Sequence, residues 1–212
     1  FSRSTMEIEN RSIMPGMYMP MDGTTQTTGL ISDILFASQV QTLKLTLDVF
    51  HLSAFADMNM LPLSNGVPMH LVNLANVENL NSAIAAEWNY EPIVSDFHFR
   101  VAARFDYSRR NLNDAEGKSA FTAFWNSENI LHSYSIASIN AAIEYSISNQ
   151  TSVGFSAARA SRLPTHIENY GFYLFNPLDN AIYMGNPDLE PERGWQGEFG
   201  IQNRTSEFQF KG

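Results

Sequence analysis

The stretch "DFHFRVAARFDY", residues 96–107, alternates with a period of two. One set of side chains is Phe97, Phe99, Val101, Ala103, Phe105 and Tyr107, and the other is His98, Arg100, Ala102, Arg104 and Asp106. Successive residues of a strand point to opposite faces, so this pattern predicts a strand with one dry and one wet side. The same rule holds in "SIASINAAIEYSI" (135–147), where Ala137, Ile139, Ala141, Ile143, Tyr145 and Ile147 oppose Ser138, Asn140, Ala142, Glu144 and Ser146. It recurs in "LKLTLDV" (43–49), "NLNSAIAAEWNY" (79–90) and "GWQGEFGIQ" (194–202).

A soluble sandwich also alternates, so the chemistry of the faces has to decide. Aromatic residues stand near strand ends: Trp88 and Tyr90 close one, Tyr107 closes the next and Trp195 opens the last full one. That placement fits the aromatic girdles of a transmembrane β-barrel. Connection lengths point the same way. Strands are expected near 1–10, 28–38, 43–56, 77–90, 96–109, 134–147, 151–162, 193–203 and 206–212. Between them, long connections (11–27, 57–76, 110–133, 163–192) alternate with short ones (39–42, 91–95, 148–150, 204–205). Structureless loops of such length are uncommon in compact soluble domains. Outer-membrane barrels combine short periplasmic turns with long outer loops. The expected fold is all-β, an antiparallel transmembrane β-barrel. This chain would supply a partial arc of about nine strands, and residues 1–212 would belong to one barrel domain.

Composition narrows the function classes. Of 212 residues, 44% are hydrophobic and 17% charged, the net charge is −9 and the pI is near 4.9. No basic stripe exists to meet phosphates, which argues against nucleic acid. The chain has no cysteine, so disulfides and thiolate chemistry are excluded. No run approaches the roughly 18–20 apolar residues of a membrane helix. The opening at Phe1 and the end at "FQFKG" are expected of a piece of a longer protein.

The fourth long connection and the strand after it carry a motif. In "ASRLPTHIENYGFYLFNPLDNAIYMGNPDLEPERGWQGEFGIQN" (160–203) the notable residues are Arg162 and Pro164, then Glu168, Asn169, Tyr170 and Gly171. Gly185, Asn186, Pro187, Leu189, Pro191 and Glu192 follow, with Glu198 in the returning strand. This segment resembles the barrel of TonB-dependent outer-membrane receptors; elsewhere the chain shares only their architecture. The resemblance implies a barrel of about 22 strands filled by an N-terminal plug domain of the same parent chain. It also implies energy supplied by TonB through a missing N-terminal part, and a place in the outer membrane of a Gram-negative bacterium. The expected function is active uptake of a scarce nutrient such as a metal chelate (siderophore, haem, copper). An arc with two open edges would not be stable alone.

In physical terms the motif is expected to anchor an outer loop. Gly185 and Asn186 suit a tight turn with positive φ, and Pro187 fixes the next φ. Pro191 cannot donate to a ladder, so pairing should begin just after it. A second constellation is methionine-rich: Met14, Met17, Met19 and Met21 in the first outer loop, with Met58, Met60, Met69 and His70 in the second. Thioethers are soft ligands that favour Cu(I). They equally supply adaptable packing against a plug, a surface lipoprotein or lipid. His98, Arg100, Arg104, Asp106 and Glu144 are expected to face the lumen, and Arg109-Arg110 to sit at a rim that meets lipopolysaccharide phosphates or water.

Enzyme signatures fail. "AEGKSA" has Leu112 where a phosphate-binding loop needs its first glycine, and "GFSAA" has Ala158 where a nucleophile elbow needs its second. No cofactor is called for. A passive porin, and behind it an outer-membrane hydrolase, are the alternatives to a receptor.

Overall fold

The computed structural model describes residues 2–8, 17–126, 130–176, 181–204 and 209–211. Its strands are β1 (Ser2–Ile8), β2 (Met17–Tyr18), β3 (Met21–Ala37), β4 (Gln41–Pro62), β5 (Met69–Tyr90), β6 (Phe97–Leu112), β7 (His132–Ser146), β8 (Thr151–Arg162), β9 (Leu174–Asn176), β10 (Ala181–Tyr183), β11 (Glu192–Arg204) and β12 (Gln209–Lys211). Two helices, α1 (Ala115–Trp125) and α2 (His166–Tyr170), lie in the third and fourth long connections. The main sheet runs β1-β3-β4-β5-β6-β7-β8-β11-β12, with β2 on β4, and β9 and β10 form a separate ribbon. Each neighbour along the path is antiparallel. This is a meander in chain order, an open arc of barrel wall.

The register carries the alternation across strands. Tyr90, Phe99, Ile143, Phe155 and Phe199 stand in one row, and Trp88, Val101, Ala141, Ala157 and Gly197 in another. These rows lie on the outward face, where large apolar side chains are open to the surroundings, as at Ile84 (59%), Phe155 (54%) and Phe199 (68%). Near the short-turn end the aromatics touch in a chain. Trp88 meets Tyr90 (5.9 Å between ring centroids), Tyr90 meets Phe99 (6.4 Å), Phe99 meets Phe97 (6.3 Å) and Phe97 meets Tyr145 (4.6 Å). Such a belt suits a headgroup layer.

The opposite face is polar and internally paired. Arg104 bridges Asp48 (3.2 Å) and Asp106 (2.7 Å), and Lys44 meets Asp33 (3.2 Å). Arg100 Nε donates to Asn89 Oδ1 (2.7 Å), and His98 stands directly opposite Glu144.

The structure differs from the sequence reading above the membrane level. β3 begins at Met21 and not near 28, β4 reaches Pro62 and not 56, and β5 starts at Met69 and not 77. At about 3.3 Å per residue a 22-residue strand is about 70 Å long, more than twice a hydrocarbon layer of about 30 Å. These hairpins therefore project into water. After Met21, "DGTTQTT" (22–28) has no apolar side chain on either face, so the alternation disappears while its threonines still favour strand. The two later long loops are folded around α1 and α2, not structureless. The fourth short turn includes 205–208, outside the described residues.

The dry core also lies at this end. Ala54, Val72, Leu74, Ala75, Val77, Leu112, Phe121, Ile130 and Tyr170 form one buried cluster between strand ends and loop helices. Among the described residues no helix is long and apolar enough to cross a membrane, which says nothing of strands.

Two substitutions test the faces in the full-length protein. Ile139→Arg places charge on the lipid-facing side at mid-strand, opposite Ala103, and should cost about 2–4 kcal/mol. Arg100→Ala, on the opposite face, should leave assembly unchanged. Heat-modifiability on gels reads both, and equal behaviour of the two variants would mean that the faces are reversed or mixed.

Candidate functional site

The loop after β8 starts with a capping box. Thr165 Oγ1 accepts from Glu168 N–H (3.1 Å), and Glu168 Oε2 accepts from Thr165 N–H (2.6 Å). The spacing Thr-x-x-Glu is what such a box requires, and it opens the short helix α2. Glu168 has a second task. Arg162, the last residue of β8, donates to both its oxygens (3.0 and 3.1 Å) and to both oxygens of Glu192 (3.0 and 2.7 Å). Glu192 opens β11 and stands directly opposite Arg162 in the ladder. One guanidinium thus ties the strand before the loop, the helix within it and the strand after it. Bidentate charge-assisted pairs fix geometry as well as adding energy.

The deeper side of the loop rests on the wall. Asn169 is fully buried; its Oδ1 accepts from Arg110, and its Nδ2 donates to Tyr134 Oη (3.0 Å) and to the Asn186 carbonyl (3.2 Å). Tyr134 Oη in turn donates to the Leu189 carbonyl (3.2 Å). Arg110 shares the inward face with Arg104 and Asp106, and its guanidinium lies over the Tyr134 ring at 5.2 Å. Tyr170 packs on Phe121 of α1 and donates to the Ile130 carbonyl (3.0 Å). Asn73 Nδ2 of β5 donates to the carbonyls of Phe172 (3.0 Å) and Tyr173 (3.2 Å), and the Asn73 backbone carbonyl accepts from Phe172 N–H (2.8 Å).

The glycine-asparagine-proline segment closes against α2. Gly185 N–H donates to the Gly171 carbonyl, and Asn186 N–H to the Glu168 carbonyl (2.8 Å). A Cβ at Gly185 would lie 2.7 Å from backbone atoms of Asn169, Tyr170 and Gly171. Glycine is needed for close approach, and the expected positive φ at Gly185 and Asn186 is absent. Positive φ falls instead at Tyr173 (53°). Pro164, Gly171 and Pro187 are buried, Leu189 and Pro191 half-buried, and β11 begins at Glu192, right after Pro191.

Surroundings set the ionisation of this loop. The Arg162 guanidinium and the Thr165 backbone N–H hold the Glu168 carboxyl at about 2, below its ordinary 4.5. Burial pushes the Tyr170 hydroxyl up and the His166 imidazole down.

The remaining candidates separate. Met14 lies outside the described residues, and Met17 pairs with Pro62 in the backbone ladder. Met21, Met58, Met60, Met69 and His70 lie in strands, not in loops. Met19, Met21, Met58 and Met60 come together in a second buried cluster. His70 pairs with Asn59, out of phase with Met58 and Met60, and its ring nitrogens meet Asp57 (3.0 Å) and Glu116 (3.6 Å). Arg110 is 3% exposed and faces inward, so it is not a rim cation, whereas Arg109 is exposed. Sequence reasoning missed Asn73, Tyr134 and the pivotal place of Asn169. The capping-box spacing at Thr165 was the available signal for the helix that carries Asn169.

The profile of the family described as "TonB dependent receptor-like, beta-barrel" matches residues 20–212. No curated protein matches the chain. Among solved structures, the copper transporter OprC aligns with a TM-score of 0.71 at 13% identity, over 98% of this chain and 33% of that one. The siderophore receptor PirA from Pseudomonas aeruginosa aligns with a TM-score of 0.36 at 9% identity, over 96% of this chain and 49% of that one. The likeness to OprC is one of fold, and the chain spans about a third of its length.

The Glu168 tie gives a pH dependence. Its pKa is lowered in the folded loop, so the stabilisation is complete above pH 4.5 and is lost as pH falls towards about 2. A dye on a cysteine at the exposed Ile182 should keep constant anisotropy from neutral pH down to about 4.5 and lose it as pH falls from there towards about 2. Arg162→Ala should lower the anisotropy already at neutral pH and flatten the acid limb. Superimposable curves for parent and variant would show that this ion pair does not hold the loop.

Proposed function

Because the chain belongs to the TonB-dependent receptor β-barrel family, we propose that it forms part of the wall of an outer-membrane receptor that imports a scarce nutrient by active transport. The cargo class is a metal chelate or metal, such as a siderophore, haem or copper. In this reading all 212 residues are wall of one barrel domain in a Gram-negative outer membrane. The inward polar face, with Arg104 between Asp48 and Asp106, abuts a plug domain of the parent chain. The outward rows abut lipid, and TonB acts through a segment beyond this chain. A surface lipoprotein at the projecting hairpins is a further candidate partner.

The observation that supports this best is the loop 163–192 pinned on the inward side of the mouth. A passive pore gains nothing from filling its entrance. A receptor does, because side chains held in place around an incoming ligand lose less conformational freedom on binding. Asn169 and Arg110, buried beneath the loop, and Tyr134 hold its backbone in place.

Uptake in cells is the test. The full-length receptor would be expressed in strains with and without TonB, and accumulation of iron chelates, haem and copper compared. Accumulation of one of them should need both receptor and TonB. Uptake that needs the receptor but proceeds equally without TonB would replace this reading by a passive channel.

A further inference from the structure

The chain has nine methionines, and eight of them fall at 14, 17, 19, 21, 58, 60, 69 and 184. Met19 (2% exposed), Met21 (8%), Met58 (1%) and Met60 (5%) pack into one buried cluster. The ladder explains the convergence. Met21 stands directly opposite Met58, and Met60 directly opposite Met69. Met58 and Met60 are two residues apart on one strand and so share a face, about 7 Å apart along it. Met19 is brought in by the turn between β2 and β3. That turn is held by the pairing of Tyr18 with Leu61 and by Asn59 N–H donating to the Pro20 carbonyl (3.0 Å). Tyr173 and Leu174 pack against the cluster, and Tyr173 N–H donates to Met184 Sδ (3.1 Å).

Apolar packing alone does not call for sulfur at this density. The neighbouring core, built on the same β4–β5 hairpin and the same loop, uses alanine, valine, leucine, isoleucine and aromatic side chains, and no methionine. On β4, Met58 and Met60 continue the alternation that turns Asp48 to Arg104, so they lie on the lumen side of the mouth. We propose that Met19, Met21, Met58 and Met60 bind a soft monovalent cation, Cu(I) or Ag(I). That the ion is cargo rests on the receptor reading above; that it binds does not.

The chemistry selects the ion. Thioether sulfur is a soft ligand, whereas Ca²⁺ and Mg²⁺ require oxygen shells. Four neutral ligands leave the ion with its full charge in apolar surroundings. The cost of burying that charge rises with its square, about fourfold for a divalent ion over a monovalent one. Methionine is unbranched and flexible, so side chains from facing strands can close on one ion without moving the ladder.

Silver titration of the purified full-length receptor, followed calorimetrically, tests the site. The parent should bind one tight Ag(I), with X-ray absorption showing a sulfur-only shell. The Met19→Leu, Met21→Leu, Met58→Leu, Met60→Leu quadruple variant nearly conserves volume and should keep its heat-modifiable barrel. Its silver affinity should fall at least about 100-fold, and that of Met58→Leu alone by about 10-fold. Should the quadruple variant fail to assemble, Met19→Leu with Met60→Leu must still show the loss. Absence of tight silver binding, equal affinity in the leucine variants, or nitrogen or oxygen in the shell would overturn the proposal. Deleting TonB separates the two readings: it should abolish copper uptake and leave silver binding by the receptor unchanged. Silver binding without any TonB-dependent uptake would refute the receptor reading and keep the site.

Discussion

A chain that crosses hydrocarbon in an extended conformation must pair every backbone N–H and C=O, because no water is there to take them. The rest of this structure follows from that. It forces β3 through β8 and β11 into one continuous ladder, each strand beside its neighbour in sequence. Once the ladder exists, the period of two is no longer a matter of choice. Phe99 must face lipid if Arg100 faces the lumen, and the register repeats that decision on the next strand at Ile143 and Ala142. Among the described residues, β1 and β12 stand at the two ends of the path and pair on one side only.

Beyond the membrane the constraint relaxes, and the chain uses the freedom to fill its own mouth. Water can solvate loop backbone, so helices and turns become possible. Burial there is gained by folding onto the inward face, where Val77, Leu112 and Tyr170 lie dry. Arg110 is kept in that setting by Asn169, Ser108 and the Tyr134 ring, polar groups and a π-face standing in for water. Gly185 lies against backbone on every side that a Cβ would meet. Its backbone lies so close to α2 that even a methyl group has no room. The ion pair at Arg162 sits outside this core and closes the loop at its two strand ends.

Legibility in the sequence follows the same division. Where lipid and lumen impose opposite chemistries, as in β6, β7, β8 and β11, alternation places the strands to within three residues of their observed limits. Above the membrane both faces of β3 meet water or protein, "MDGTTQTT" carries no period, and seven residues of strand are read as loop. α1 was hidden for a related reason. Its cap is plain enough, with Asp114 accepting from Gly117 N–H (2.8 Å), but eleven residues with a weak apolar stripe do not stand out from a loop. The motif residues stand out in the sequence as a group, but their reasons lie in the packing. Close packing accounts for Gly185, and the hub is Asn169, whose partners Arg110 and Tyr134 lie 59 and 35 residues away in the chain. No local pattern encodes contacts at that distance.

The segments 162–176 and 181–192 are docked onto the wall, not merely present above it. Hydrogen exchange of the full-length receptor in a lipid bilayer reads this directly, because the amides of Gly185 and Asn186 donate to the Gly171 and Glu168 carbonyls and that of Phe172 to Asn73. These three amides should exchange far more slowly than those of the exposed hairpin tip at Ser64 and Asn65, and Asn169→Ala should speed all three together. Exchange at Gly185, Asn186 and Phe172 as fast as at the tip would mean an open mouth and would contradict the account.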